Sequence, residues 1–335
     1  MNVLVTALGS MSSEAVIGAL RSRPDVARIV GTDIHPPAWI AASELVDACV
    51  QVPRVSDPAA YVSHLMTLCE RWDIDWIVPL TDLEVDVLSS QHAAFQQIGT
   101  RLAVADERAV ATCRDKFLWQ SLLRDMAALA PALPALIPTA LLADWHTLDA
   151  PFPWLAKPAT GRSSENHIAI ASVREAQALV ARANTTYIVQ PRLPGSIHVV
   201  DIVRQRSTQT VTAIARTELL RTSNGAGTTV RLARQPVLES AARAVATALD
   251  TTGAMNMEFI EHAGTYRLMD INPRLSAGTQ FTIAAGYDIV GNHLRSFDRD
   301  PIESFETELD AIMVRGQATC LIRSPHPDSR TSCPT

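Results

Sequence analysis

The sequence predicts an α/β protein that opens with a doubly wound parallel sheet and continues into paired strands and helices. Two observations carry this. Val3–Thr6, a helical pattern through Val16, Ile17, Ala19 and Leu20, and Arg28–Asp33 form a βαβ unit, and the alternation continues for a hundred residues. Near the other end, Gly253–Arg274 reads as two strands joined by the turn His262-Ala263-Gly264-Thr265.

Bulk properties set limits on function. A chain of 335 residues exceeds one compact core and implies two or three domains. Hydrophobic residues make up 47% and charged ones 19%, as in well-buried globular proteins. The net charge of −6 offers no chain-wide attraction to nucleic acid or anionic membrane. Cys49, Cys69, Cys113, Cys320 and Cys333 lack metal-ligand spacing, and their scatter suits reduced thiols. The opening MNVLVTALGS carries no basic leader, so the expected location is cytoplasmic. Met126–Ala143 is uncharged, but Pro131, Pro134 and Pro138 interrupt it, and it reads as a stiffened connector rather than a membrane span.

In the first βαβ unit, Asp33 invites a dinucleotide reading. The turn has one glycine, Gly9, and no G-x-G-x-x-G, so close approach to a pyrophosphate is not provided for. Next come a strand over Ala48–Val52, a helix over Tyr61–Trp72 and a buried strand over Asp75–Pro79. Thr81, Asp82 and Glu84 stand at the carboxyl end of that strand, where open sheets bind ligands; Thr81 and Glu84 also fit a capping box. Arg101–Val104 closes the unit near residue 110.

Helices are expected over Glu107–Thr112 and Asp115–Met126. Lys116 opens the second, against the helix dipole, so an anionic ligand could favour it. After the connector, a strand ends in Lys157-Pro158 and is followed by the small-residue loop Ala159–Asn166. Loop N–H groups beside a lysine make a phosphate nest without a Walker sequence. His167–Ile170, helix Ser172–Ala183 and strand Tyr187–Pro191 follow, then the strand pair His198–Arg204 and Gln209–Arg216. Arg216, Arg221 and Ser223–Gly227 read as a mobile basic loop. A helix spans Pro236–Asp250, one helical region covers Gln280–Phe297, and Ser324–Thr335 reads as a loose tail.

The closing hairpin carries the chemistry. Met255, Met257 and Phe259 alternate with Asn256 and Glu258, while Asp270 and Asn272 project to one face of the second strand. Two carboxylates and an amide oxygen suit a hard cation such as Mg²⁺. Arg274 follows, able to grip a phosphate or carboxylate. An amphipathic hairpin with solvated acids is the plainer alternative.

Lys157-Pro-x-x-Gly161, Asn256-Met-Glu258-Phe and Asp270-Ile-Asn272-Pro-Arg274, in that order, resemble the ATP-grasp superfamily and its carbamoyl-phosphate-synthase-like carboxylate–amine ligases. The resemblance covers about residues 1–300. It implies a Rossmann-like pre-ATP-grasp domain over 1–110, a helical and proline-rich connector over 111–150, and a two-lobed α+β ATP-grasp domain. Its small lobe, with the phosphate loop, would span 151–193 and its larger lobe, with the metal site, 194–305, leaving 306–335 as an extension. It places ATP contacts on Lys116, Lys157, Gly161, Ser163, Ser164, Gln190 and Asp201, and Mg²⁺ (one or two ions, Mn²⁺ as a substitute) on Glu258, Asp270 and Asn272. Arg274, Arg216 and Arg221 would contact the phosphate and acyl phosphate.

The implied activity is ADP-forming ligation of a small carboxylate, such as an amino acid, to an amine, with Thr81, Asp82, Arg221 and Ser276–Thr279 selecting substrates. Small molecules are the expected partners, without nucleic acid or membrane, and a homodimer is compatible. Some positions depart from the pattern. Ser163 and Asn166 replace glycines, Pro191 and Ile197 stand where acids hold the nucleoside, and Asp270 replaces glutamate. A binding protein that has lost catalysis is therefore the second reading.

Overall fold

The computed structural model describes residues 1–162, 165–316 and 319. Three sheets make up the protein. The first is fully parallel, with Ala48–Gln51, Arg28–Asp33, Asn2–Val5, Trp76–Val78 and Arg101–Leu102 side by side in that order. Strand order reverses between Asn2–Val5 and Trp76–Val78, so the loops after these two strands open a crevice, the usual ligand position in such sheets. Helices Ser13–Arg21 and Pro58–Trp72 bury one face each against it.

The second sheet is antiparallel and small: Ala140–Leu141, Tyr187–Pro191, Trp154–Pro158 and Ile168–Ile170, with helix Val173–Arg182 packed on it. The third has seven strands. Ala311–Val314, Gly227–Leu232, Thr210–Arg221, Ser196–Gln205, Gly253–His262 and Thr265–Asn272 run antiparallel, and Ala135–Leu136 adds a parallel edge. Helices Lys116–Met126 and Pro236–Ala248 cover one face, burying Trp119, Leu123, Leu238 and Val245 against Val200, Ile202, Met257 and Phe259. The other face shares a core with the parallel sheet: Val203, Ile214 and Leu232 pack with Val3, Val5 and Ile17 through helices Thr279–Ala284 and Ile289–Arg295.

The expected hairpin is present, with Ala263 and Gly264 both at positive φ (50° and 73°) in the two-residue turn, as a hairpin twisting with its strands requires. Its register contains a bulge. Glu258 pairs with Asp270 but Phe259 pairs with Leu268, so Met269 is the extra residue. Leu268 and Asp270 would share a face in a regular strand. The bulge instead sends Leu268 into the core and Asp270 into the cleft.

Several expectations need correction. The helical region expected over Gln280–Phe297 consists of two short helices, parted where Gly286 sits at φ +100°. The expected mobile loop is a tight turn from which Gly227–Leu232 runs as a strand, and Arg216 and Arg221 belong to the strand before it. The region after 305 contributes the edge strand Ala311–Val314, whereas Ser324–Thr335 lies outside the described residues. The proline connector donates one short strand to each of the two antiparallel sheets. Among the described residues, no helix is long and apolar enough to cross a membrane.

The capping box at Thr81 forms: its N–H and hydroxyl meet Glu84 Oε2 at 3.3 and 2.8 Å, and Tyr61 donates to Oε1 at 2.9 Å. Burial pushes the Glu84 carboxyl above its ordinary range despite these donors. Thr81→Ala is expected to lower unfolding free energy by about 1 kcal/mol, measured by urea denaturation.

Candidate active site

A cleft of about 850 Å³ lies where the parallel sheet meets the seven-stranded sheet and the small sheet. One wall is the loops after strands Asn2–Val5 and Trp76–Val78, including Gly9, Ser10, Thr81 and Asp82. The facing wall and floor are Lys157, Arg162, His167, Arg216, Glu218, Arg221, Asn256, Glu258, Asp270, Asn272 and Arg274. Of the residues expected to bind metal or contact phosphate, Glu258, Asp270, Asn272, Arg216, Arg221 and Arg274 all line this volume.

The hairpin explains the convergence. Cross-strand pairing sets Glu258 opposite Asp270 and Asn256 opposite Asn272. Asn272 Nδ2 donates to Asn256 Oδ1 at 2.9 Å, which fixes the orientation of the Asn272 side-chain amide. Each carboxylate faces a cation: Arg221 Nη2 lies 2.7 Å from Glu258 Oε2, and Lys116 Nζ 3.1 Å from Asp270 Oδ1. Two carboxylates and an amide oxygen are the donor set of a hard cation that completes its shell with water and phosphate. Among the described residues, no group of three or more His, Cys, Asp or Glu side chains is placed to hold a metal ion. The three side chains fit Mg²⁺.

The lysines come from separate elements. Asp115 caps the helix start by accepting from Phe117 and Leu118 N–H at 2.9 and 3.0 Å, which leaves Lys116 at the first helical position. Its backbone N–H donates to Ala159 O and its ammonium to Gly161 O at 3.4 Å, tying the helix to the small-residue loop. Lys157 is buried at the end of its strand. Burial lowers its proton affinity, the neighbouring Lys116 adds to this, and Asp270 and Glu258 oppose it. His167 beside them is depressed to about 4 by burial and by both lysines, and is neutral at pH 7.

Arg216 is held by Asp201 at 2.7 Å and Glu218 at 3.2 Å, with Ser276 at 3.5 Å. Burial disfavours its charge, but Asp201 and Glu218 outweigh that and raise its affinity for the proton. Gly278 packs so closely on the guanidinium that a Cβ there would lie 2.3 Å from Nη2. Arg274 makes a two-point contact with Asp82 at 2.8 and 2.9 Å.

The remaining expected residues are placed differently. Asp201 is spent on Arg216 and Thr282 inside the sheet and does not line the cleft. Gln190 is buried, donating to Thr139 at 2.8 Å, and also lies outside the lining. Gly161 offers its carbonyl to Lys116 and Arg114. Ser163 and Ser164 lie outside the described residues. Asp33 accepts from Gly9 and His35 N–H at 2.8 and 2.9 Å, so its carboxylate closes a turn. Asn256, Glu218, Arg162 and His167 line the cleft without having been singled out for the site; Asn256 shares the strand parity of Glu258, a signal that was available.

Residues 183–318 match the family model described as ATP-grasp in the biosynthetic pathway with Ter operon, and residues 3–103 match the PylC-like N-terminal domain. None of the curated proteins matches the sequence significantly. Among solved structures, pyruvate carboxylase of Rhizobium etli aligns with TM-score 0.71 at 17% identity, over 90% of this chain and 29% of that one. This chain thus spans less than a third of that enzyme. N5-carboxyaminoimidazole synthetase of Staphylococcus aureus, complexed with ADP, aligns with TM-score 0.70 at 14% identity, over 93% and 81% of the two chains. An L-amino acid ligase of Bacillus licheniformis aligns with TM-score 0.64 at 12% identity, over 86% and 72%. At such identities these likenesses speak for the fold, and they agree with the two family models, which match different parts of the chain. Residues 183–318 thus match an ATP-grasp family and residues 3–103 a PylC-like N-terminal domain, on a fold shared with these solved structures.

Proposed function

We propose that the protein is an ATP-dependent ligase that activates a small carboxylate, an amino acid by preference, as an acyl phosphate and joins it to an amine, releasing ADP and phosphate. The observation that carries this reading is the set Glu258, Asp270 and Asn272 on the cleft floor, with Lys116 at Asp270 and Lys157 beside them. Mg²⁺ held by these three residues would neutralise phosphate charge. Lys116 and Lys157 attract the phosphates and Arg274, Arg216 and Arg221 face the transferring group. Gly161 and the loop after it, with Gln190 and Asp201 behind, complete the nucleotide side in this reading. The domain division near residues 110, 150, 193 and 305 goes with it.

A carboxylate oxygen attacks the γ-phosphorus as the bond to the bridging oxygen breaks, and ADP departs with that electron pair. The amine then attacks the acyl carbon, expels phosphate and loses a proton. Positioning and charge suffice, so no side-chain nucleophile is required. In this reading Thr81 and Ser276–Gly278, on the cleft wall, select the acid and the amine.

The test is Mg-ATP turnover with pooled amino acids and small carboxylates, followed by identification of the nucleotide product. Substrate-dependent ADP is the expected result. AMP would replace acyl phosphate with adenylation. Saturable nucleotide binding without turnover would favour the binding-protein reading that Pro191 and Ile197 motivate.

A further inference from the structure

Arg274 follows the metal-site strand, yet its guanidinium is fixed by a residue from the parallel sheet's side of the cleft. Nε and Nη2 donate to Asp82 Oδ1 and Oδ2 at 2.8 and 2.9 Å, and Nη1 donates to Leu275 O at 3.1 Å. The Asp82 side chain is 4% exposed and that of Arg274 18%. Asp82 is the first residue of helix Asp82–Leu88, whose start is closed by Thr81 and Glu84 and tied to the Tyr61 hydroxyl. Arg114 reaches the same carboxylate at 3.6 Å, pairs with Asp86 at 3.0 Å and donates to Gly161 O at 3.2 Å. One carboxylate therefore connects the metal-site strand and, through Arg114, the loop after Lys157.

We infer that Asp82 is a positioning residue: it sets the direction of the Arg274 guanidinium in the cleft. The inference rests on the ligase reading insofar as Arg274 meets the acid substrate or its phosphoryl group. The two-point contact removes rotation about the last side-chain bonds of Arg274, so its remaining N–H edge has one direction in which to present itself. A bound acid thus meets a cation oriented beforehand from the opposite wall.

The test uses the full chain with Asp82→Asn, which keeps size and one acceptor oxygen, and Asp82→Glu, which keeps charge at a longer reach. Phenylglyoxal labelling of Arg274, followed by peptide mass, reads the contact without any turnover. Labelling of Arg274 should rise several-fold in Asp82→Asn, less in Asp82→Glu, and not in Asp86→Asn. With the acid substrate in hand, Asp82→Asn should raise its KM and lower kcat/KM roughly 10²-fold, while the Kd for Mg-ADP stays within about twofold and Asp82→Glu recovers part of the loss. Unchanged labelling of Arg274 overturns the proposal. So does a fall in nucleotide affinity equal to the fall in kcat/KM, which would mark a general structural role. If wild-type protein turns over no acid, the ligase reading fails, and the labelling result still decides the positioning of Arg274.

Discussion

Glu258→Ala/Asn272→Ala is expected to cost at least roughly 10³-fold in turnover, because metal-bound phosphate charge contributes several kcal/mol to the transition state. The two substitutions remove one carboxylate and the amide oxygen, and leave Asp270 paired with Lys116. They also release Arg221, which holds Glu258 at 2.7 Å, and leave Asn256 Oδ1 without its donor. The unpaired amide costs about 1–3 kcal/mol, and the protein should remain folded with its hairpin intact. Calorimetric titration separates the causes. In wild-type protein, Mg²⁺ should strengthen ADP binding; in the variant, ADP should bind with the same affinity with or without Mg²⁺. If Mg²⁺ strengthens binding equally in both, the metal is held elsewhere and the assignment of these residues fails.

The architecture was legible where local pattern and tertiary role coincide. Val3, Val5, Ile29 and Val30 form a buried strand pair with a period-3.6 helix between them, and each feature is visible in the sequence. The hairpin was equally open to reading, since Ala263-Gly264 marks the turn and Met255, Met257 and Phe259 mark the core face. The bulge at Met269 was not. Strand parity places Leu268 and Asp270 together, and only pairing with Phe259 and Glu258 separates them. Ala311–Val314 was missed for a related reason. With Ile312 and Val314 exposed and Ala311 and Met313 half-buried, its burial contrast is low, and its strand identity comes from pairing with Gly227–Leu232.

The site divides along the same line. Glu258, Asp270, Asn272 and Arg274 could be nominated for the site from residue type and spacing, and all four line the cleft. The contact that holds one of them could not. Asp82 and Arg274 are 192 positions apart, and no periodicity links them. Asp201 is a different case. Its place in the motif suggests a ligand contact, and the fold pairs it with the buried Arg216 at 2.7 Å.

That use of Asp201 makes Asp201→Ala the most destabilising change expected near the cleft. Its side chain is 1% exposed and that of Arg216 3%, so neither charge can turn to water when the other is lost. The carboxylate also accepts from Thr282 at 2.6 Å, which ties the central strand Ser196–Gln205 to helix Thr279–Ala284. Breaking one side of a buried pair costs about 3–5 kcal/mol because the surviving charge is left uncompensated. Glu218 at 3.2 Å moderates this, and burial raises the proton affinity of Glu218 itself, so it is a weaker substitute as pH falls. Urea denaturation at pH 7 and pH 5 measures both effects. A loss near 3–5 kcal/mol is expected at pH 7. The loss should grow at pH 5, where Glu218, its proton affinity raised by burial, is the weaker counter-charge for Arg216. Asp201→Asn, which keeps the bond from Thr282 but not the charge, should fall between wild type and Asp201→Ala. Equal stability of wild type and Asp201→Ala would mean that Arg216 finds its compensation in Glu218 alone.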